Sequence, residues 1–280
     1  MPIKYNKSQK LSYRGGRRET ETAADERKVV LRAEDICMTF GTIKAVAEVS
    51  FELLDGEVLA LIGPNGAGKS ALLNCINGFY HPQRGRVYFH DKDITHLPPH
   101  KRAMLGIGRT FQGLQVYAGM TVVDTIMSGR HFHMKTNPMQ CAIYWPWTHK
   151  EEVEHREYVE EVIDFLEIEG IRKAPVGELS YGLRKRVDLA RALAMEPDTL
   201  LLDEPMAGMN LEEKEDLARF ILDVNESLGT TIMVVEHDME VVMDIAQRIL
   251  AMDWGRLIAT GTPAEIKTND TVVKAYLGVG

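Results

Sequence analysis

Apolar residues along the chain fall into two alternating patterns. Val58-Leu59-Ala60-Leu61-Ile62, Thr199-Leu200-Leu201-Leu202 and Thr231-Ile232-Met233-Val234-Val235 are unbroken runs and read as strands buried on both faces of a parallel sheet. Elsewhere apolar positions recur at helical spacing, with Val159, Val162, Ile163 and Leu166 at i, i+3, i+4, i+7 between Lys150 and Glu169, and Leu217, Ile221, Val224 and Leu228 in a second amphipathic stretch. A third helix follows Ser180 as its N-cap, with Val187, Ala190 and Ala194 on the inward face. The first part of the chain is β-rich. Val29 to Phe40 reads as a strand, followed by a Gly41 turn, further β segments near Ile43 to Val46 and Val49 to Leu54, and a short strand at Arg86 to Phe89. Pro98-Pro99-His100 opens a helix, Gly106 to Phe111 leads to Gln112 at the end of a buried strand, and Thr121 to Ser128 is helical again. His131 to His149, with Trp145-Pro146-Trp147, reads as irregular. The close is a β segment from Ile249 to Met252, a turn at Trp254-Gly255, Leu257 to Thr260, and a capping box at Thr262-Pro263-Ala264-Glu265.

Composition adds limits. With 280 residues, 45% hydrophobic and 26% charged, the chain is long enough for one large or two small domains with a sizeable core. No apolar stretch reaches the roughly 18 to 20 residues that cross a bilayer, and Lys4, Lys7 and Lys10 have no apolar segment behind them, so neither a membrane span nor a signal peptide is expected. The expectation is a soluble, cytoplasmic protein. Cys37, Cys75 and Cys141 are odd in number and far apart, which suits buried reduced thiols rather than a disulfide framework or zinc site. His131 and His133 lack a completing ligand set for a metal. Net charge is −8, yet residues 1 to 18 carry six basic side chains and no acid, which leaves the remainder at −14 and speaks against nucleic acid as a partner. Residues 1–28 read as a basic, disordered arm ahead of a domain spanning 29–280, with contact to anionic lipid as the alternative role for the arm.

The chemistry centres on Gly63-Pro64-Asn65-Gly66-Ala67-Gly68-Lys69-Ser70, directly after one buried strand and directly before the helical Ala71-Leu72-Leu73-Asn74. This G-x-x-x-x-G-K-S spacing is a P-loop: glycines let successive amides face a phosphate at the positive end of a helix, Lys69 adds charge for the β and γ phosphates, and the Ser70 hydroxyl can ligate Mg²⁺. Asp203 and Glu204 end a buried strand about 130 residues later, where a second nucleotide motif belongs; Asp203 can reach Mg²⁺ through water and Glu204 can polarise a water for attack on the γ phosphate. His237 ends another buried strand, at the sheet edge where open α/β folds bind ligands. Arg184, Lys185 and Arg186 oppose the dipole of the helix after Ser180, which reads either as an anion nearby or as a solvated basic face.

In that order the P-loop, Gln112, Leu179 to Leu183, Leu200 to Glu204 and His237 resemble the Walker A, Q-loop, signature, Walker B and H-loop elements of ABC-type ATPases, over nearly everything from residue 30 to 280. The resemblance implies an α/β P-loop NTPase cassette with a mixed-sheet core, an antiparallel β subdomain and a helical signature subdomain at about 113–190. It implies that ATP is bound by Phe40, stacked on adenine, and by Gly63 through Ala71; that Gln112 senses the γ phosphate; and that Glu204 is the catalytic base and His237 a γ-phosphate contact. Ser70, Gln112 and Asp203 would hold Mg²⁺. Ser180, Tyr181 and Gly182 would act on ATP held by the second subunit of a head-to-tail dimer, whether a homodimer or a paralogous heterodimer. Finer features resemble the ATP-binding subunits of branched-chain amino-acid importers: Arg109-Thr110-Phe111-Gln112, Ala207-Gly208-Met209-Asn210, Glu236-His237-Asp238-Met239, and an ending from Gly261-Thr262-Pro263 to Ala275-Tyr276-Leu277-Gly278. That branch implies an ATPase at the inner face of the cell membrane, coupled to integral membrane permease subunits and indirectly to a periplasmic substrate-binding protein. Trp145 and Trp147 either anchor the permease or pack their own insertion. Two positions depart from the pattern: Leu183 replaces the usual signature glutamine, and Asn210 the usual aspartate. The ATPase of a lipopolysaccharide exporter, which shares the ending, is the alternative transporter reading, and a non-transport ABC ATPase the alternative outside transport.

Overall fold

A computed structural model describes residues 27–110, 119–134 and 146–277. Gln112, Cys141, Trp145, the side chain of Trp147 and the arm up to residue 26 lie outside the described residues. The chain divides into two compact units, one containing residues 113–197 and the other containing 18–112 and 198–280.

The larger unit holds two sheets. One is antiparallel, in the order β2-β1-β4-β5, from β1 (Val29–Phe40), β2 (Ile43–Leu54), β4 (Arg84–Phe89) and β5 (Lys92–Asp93). The two β segments expected between Ile43 and Leu54 are one strand, because Glu48 takes a φ of 57° and the pairing shifts at Val49, so a bulge bends the strand without ending it. The other sheet runs β10-β9-β3-β8-β7-β6, from β3 (Val58–Ile62), β6 (Ile107–Arg109), β7 (Thr199–Asp203), β8 (Thr231–Val235), β9 (Arg248–Asp253) and β10 (Arg256–Gly261). Its strands pair in parallel except for the β9–β10 hairpin. Every residue of β3, β7 and β8 is buried, as their unbroken apolar runs require. Helices α1 (Lys69–Asn77), α2 (Pro99–Met104), α6 (Leu211–Leu228), α7 (Met239–Ile245), α8 (Pro263–Lys267) and α9 (Asp270–Leu277) complete the unit. Both halves of the capping box at Thr262 and Glu265 form. Of the cysteines expected to be buried, Cys75 is, whereas Cys37 is partly exposed.

The smaller unit is helical among its described residues, with α3 (Val122–Ser128), α4 (Pro146–Phe165) and α5 (Tyr181–Leu193). The stripe of Val159, Val162, Ile163 and Leu166 is buried, as are Val187, Ala190 and Ala194. Helix α4 begins at Pro146, inside the run expected to be irregular; proline is a favoured first helical residue because its missing amide has no intrahelical partner there. Arg130 ties this unit together by donating to the Ala194 carbonyl at 2.9 Å and to Glu196 at 2.6 Å. His133 bonds the Met195 carbonyl, a structural use for one of the two histidines weighed as metal ligands.

Candidate nucleotide site

The P-loop is set where β3 gives way to α1. At Gly63 (φ 152°) an added Cβ would lie 2.2 Å from the Met252 carbonyl oxygen, and at Gly68 (φ 100°) 2.0 Å from that of Ala45, so close backbone approach requires glycine at both positions. The Ala67 amide donates to the Pro64 carbonyl and closes the turn, while Asn65 and Gly66 stand exposed at its tip. Gly68 is the N-cap of α1, with no side-chain cap and no acid in the first turn. The helix start therefore offers amides and positive dipole without a competing internal anion, which is the donor set a phosphate needs.

Lys69 is buried, and its ammonium donates to the carbonyls of Gly63 at 2.7 Å and Pro64 at 3.0 Å. Burial lowers its pKa, against the opposing pull of the Glu204 and Asp203 charges. Asp203, 1% exposed at the end of β7, accepts from Arg109 Nη2 at 3.0 Å, and Arg109 Nη1 donates to Asn74 Oδ1 of α1 at 2.7 Å. Burial also lowers the Arg109 pKa, again against Asp203. One guanidinium thus links the P-loop helix, the strand that leads to Gln112, and the expected magnesium carboxylate.

Glu204 follows with φ 47°, and its amide donates to the Val235 carbonyl at 2.9 Å. Glu236 is fully buried; it accepts from the Met206 amide at 2.8 Å and the His237 amide at 3.2 Å, and burial raises its pKa. The carboxylate thereby fixes the turn after Glu204 and holds His237, whose Nδ1 lies 3.7 Å away and whose side chain is more than half exposed. Phe40 ends β1 with its ring edge-on to Tyr80 at 5.1 Å and 43% exposed. Thr110 still pairs with Leu201, two residues short of Gln112.

In the smaller unit Ser180 caps α5 as expected, accepting from the Leu183 amide at 3.3 Å. Arg184, one of the three basic residues there, donates to the carbonyls of Leu179 and Gly177, so its charge is tied into its own loop. Asn210, at the position where an aspartate was expected, caps α6 in a reciprocal box with Glu213.

Residues 46–207 match the family described as ABC transporter. The chain belongs to that family. Residues 256–280 match a second model, described as branched-chain amino acid ATP-binding cassette transporter. The cassette is 35% identical to the high-affinity branched-chain amino acid transport ATP-binding protein BraF of Pseudomonas aeruginosa, over 89% of this chain and 98% of that one. A sulfate/thiosulfate import ATP-binding protein of Agrobacterium fabrum is 34% identical over 89% of this chain and 69% of its own length. Among solved structures, an ATP-binding cassette of an ABC transporter in its ADP conformation superposes with a TM-score of 0.79 at 34% identity, covering 90% of this chain and 99% of that one. A nucleotide-free ATP-binding cassette gives 0.78 at 35%, covering 89% and 99%. The cassette thus shares the fold of nucleotide-binding ABC ATPases, and among its described residues no helix is long and apolar enough to cross a membrane.

Arg109 and Glu236 stood out in the sequence only as parts of branch patterns, and Asn74 only as part of the P-loop helix. Their partners are far along the chain, 94 residues for Arg109 with Asp203 and 30 for Glu236 with Met206, and no local spacing announces such pairs.

Proposed function

We propose that this cassette binds and hydrolyses Mg²⁺-ATP and so energises an importer of branched-chain or other hydrophobic amino acids. The match of residues 256–280 to a branched-chain family carries the substrate class; identity over the chain as a whole is nearly the same to a sulfate/thiosulfate import protein, 34% against 35%, and does not separate cargoes. Gly63 through Ala71 cradle the phosphates and Phe40 stacks on the adenine. Ser70 and Asp203, with Gln112, are oxygen donors suited to magnesium, which takes few protein ligands and is otherwise satisfied by phosphate and water; when bound, the ion neutralises phosphate charge. Glu204 accepts a proton from the attacking water, and His237 contacts the γ phosphate. Ser180, Tyr181 and Gly182 complete the site of a second subunit. The permease subunits place the cassette at the inner face of the cell membrane, with a periplasmic binding protein delivering the cargo.

The test is to purify the chain with its membrane partners, reconstitute the complex, and measure ATP hydrolysis together with uptake of leucine, isoleucine and valine. Uptake should require ATP and vanish with Glu204→Gln. A complex that hydrolyses ATP but moves no hydrophobic amino acid would keep the ATPase and remove the substrate class.

A further inference from the structure

Three contacts seat the P-loop against the C-terminal part of the larger unit. The Met252 carbonyl of β9 crowds Gly63, the Gly255 amide in the β9–β10 turn donates to the Ala67 carbonyl at 3.0 Å, and the Gly63 amide donates to the Tyr276 hydroxyl of α9 at 2.8 Å. The first two involve backbone atoms alone, with glycine required where Gly63 and Gly255 approach neighbouring carbonyls. The third needs a tyrosine 213 residues away, inside the segment that carries the branched-chain family match. Gly63 is consequently held on both sides of its residue, the amide by Tyr276 and the carbonyl by Lys69. Helix α9 is docked through the buried Val272 and packs on β10 and α8, so the hydroxyl is presented from an anchored support.

We propose that Tyr276 is a positioning residue for nucleotide binding: its hydroxyl holds the first P-loop glycine in the cradle geometry, and the docked C-terminal helix thereby sets the affinity of the site. This rests on the reading of Gly63 through Ala71 as the phosphate cradle. A loop with three glycines at positive φ has many alternative states when empty, and binding must draw from the fraction already in the cradle form. Apparent affinity falls in proportion to that fraction. A hydrogen bond of ordinary net strength biases it by roughly 2- to 10-fold. Burial raises the Tyr276 pKa, so the phenol stays neutral and the brace does not titrate near neutral pH.

In the full chain, Tyr276→Phe keeps the ring and removes only the hydroxyl. Binding of a fluorescent ATP analogue, hydrogen–deuterium exchange of the peptide containing Gly63, and the thermal midpoint are measured together. The expected result is a Kd raised roughly 2- to 10-fold, faster exchange of that peptide only in the nucleotide-free protein, and an unchanged kcat at saturating ATP. A lower thermal midpoint with Kd and exchange unchanged would make the tyrosine a helix-docking group and overturn the proposal. Tyr276→Ala removes the ring as well; an affinity loss confined to that variant also overturns it, because the hydroxyl would then carry nothing. Wild-type protein that binds no ATP analogue would sink the cradle reading itself, and the proposal with it.

Discussion

Glu204 adopts a left-handed backbone, φ 47°, directly after a strand buried at every residue. Such a conformation costs a non-glycine residue on the order of 1–3 kcal/mol and persists only where neighbours over-determine it. Here the Glu204 amide is held by Val235, and the turn that follows is held by the buried Glu236 carboxylate through the Met206 amide. Strain retained at the carboxyl edge of the sheet fits a residue selected for where it points. Lys69 has a different task. Its buried ammonium is already satisfied by two P-loop carbonyls while feeling the charges of Asp203 and Glu204, and under the proposed function it is a preset counter-charge for phosphate. The two residues should therefore fail at different steps. Lys69→Ala is expected to lose ATP affinity, whereas Glu204→Gln should keep binding ATP, accumulate as a dimer, and lose on the order of 10² to 10⁴ in turnover. Equilibrium binding and single-turnover hydrolysis separate these outcomes. Wild-type turnover in Glu204→Gln would move the base elsewhere.

At the level of elements, α1 is fixed at both ends, by the P-loop in front and by Arg102 behind. Arg102 of α2 is 1% exposed and donates to the carbonyls of Cys75 and Ile76 in the last turn of α1, and to those of Thr95 and Leu97. A cation at the negative end of a helix dipole, bonded to two of its last-turn carbonyls, adds to the left-handed Gly78 cap that ends α1. Burial lowers the arginine's pKa to about 10, which still leaves it charged at neutral pH; burial also pushes the neighbouring Cys75 thiol up to about 12, against the pull of the Arg102 charge, which keeps that sulfur inert. Arg102→Leu strands those carbonyls and should cost on the order of 3–5 kcal/mol, read as a lower urea midpoint at constant slope. Arg102→Lys keeps the charge but not the fork, so an intermediate loss is expected. A Leu variant as stable as wild type would show that the carbonyls find other donors.

These elements also mark where sequence is legible. β3, β7 and β8 and the α5 stripe were readable because burial on both faces or on one helical face writes a local period. The start of α4 was obscured by tryptophans beside a proline, and the bulge at Glu48 has no glycine or asparagine to signal its positive φ. The site divides in the same way. The P-loop, Asp203-Glu204 and His237 are local motifs at strand ends, whereas the contacts of Arg109, Glu236 and Tyr276 are made to partners brought near only by the finished fold.

For the whole molecule, the open question is whether one chain makes a complete site. The Ser180 hydroxyl and the Gly182 amide lie at the N-terminus of α5, a second helix start suited to phosphate, while the P-loop of the same chain already offers one. If the signature serves ATP bound by a second subunit, each site is shared, and defects in P-loop and signature must complement. Assume a homodimer, with one variant carrying Lys69→Ala and another Ser180→Arg. Alone, each has two broken sites. A mixed dimer joins the intact P-loop of the second variant to the intact signature of the first, giving one whole site and one doubly broken site. Mixing should restore ATP-dependent dimerisation, measured by light scattering, and hydrolysis too where one site suffices. In a heterodimer with a related subunit, complementation should appear only with the defects divided between the two chains. Failure in both arrangements, with both variants folded by circular dichroism, would mean that Ser180 serves its own chain or that Leu183 has disabled the signature.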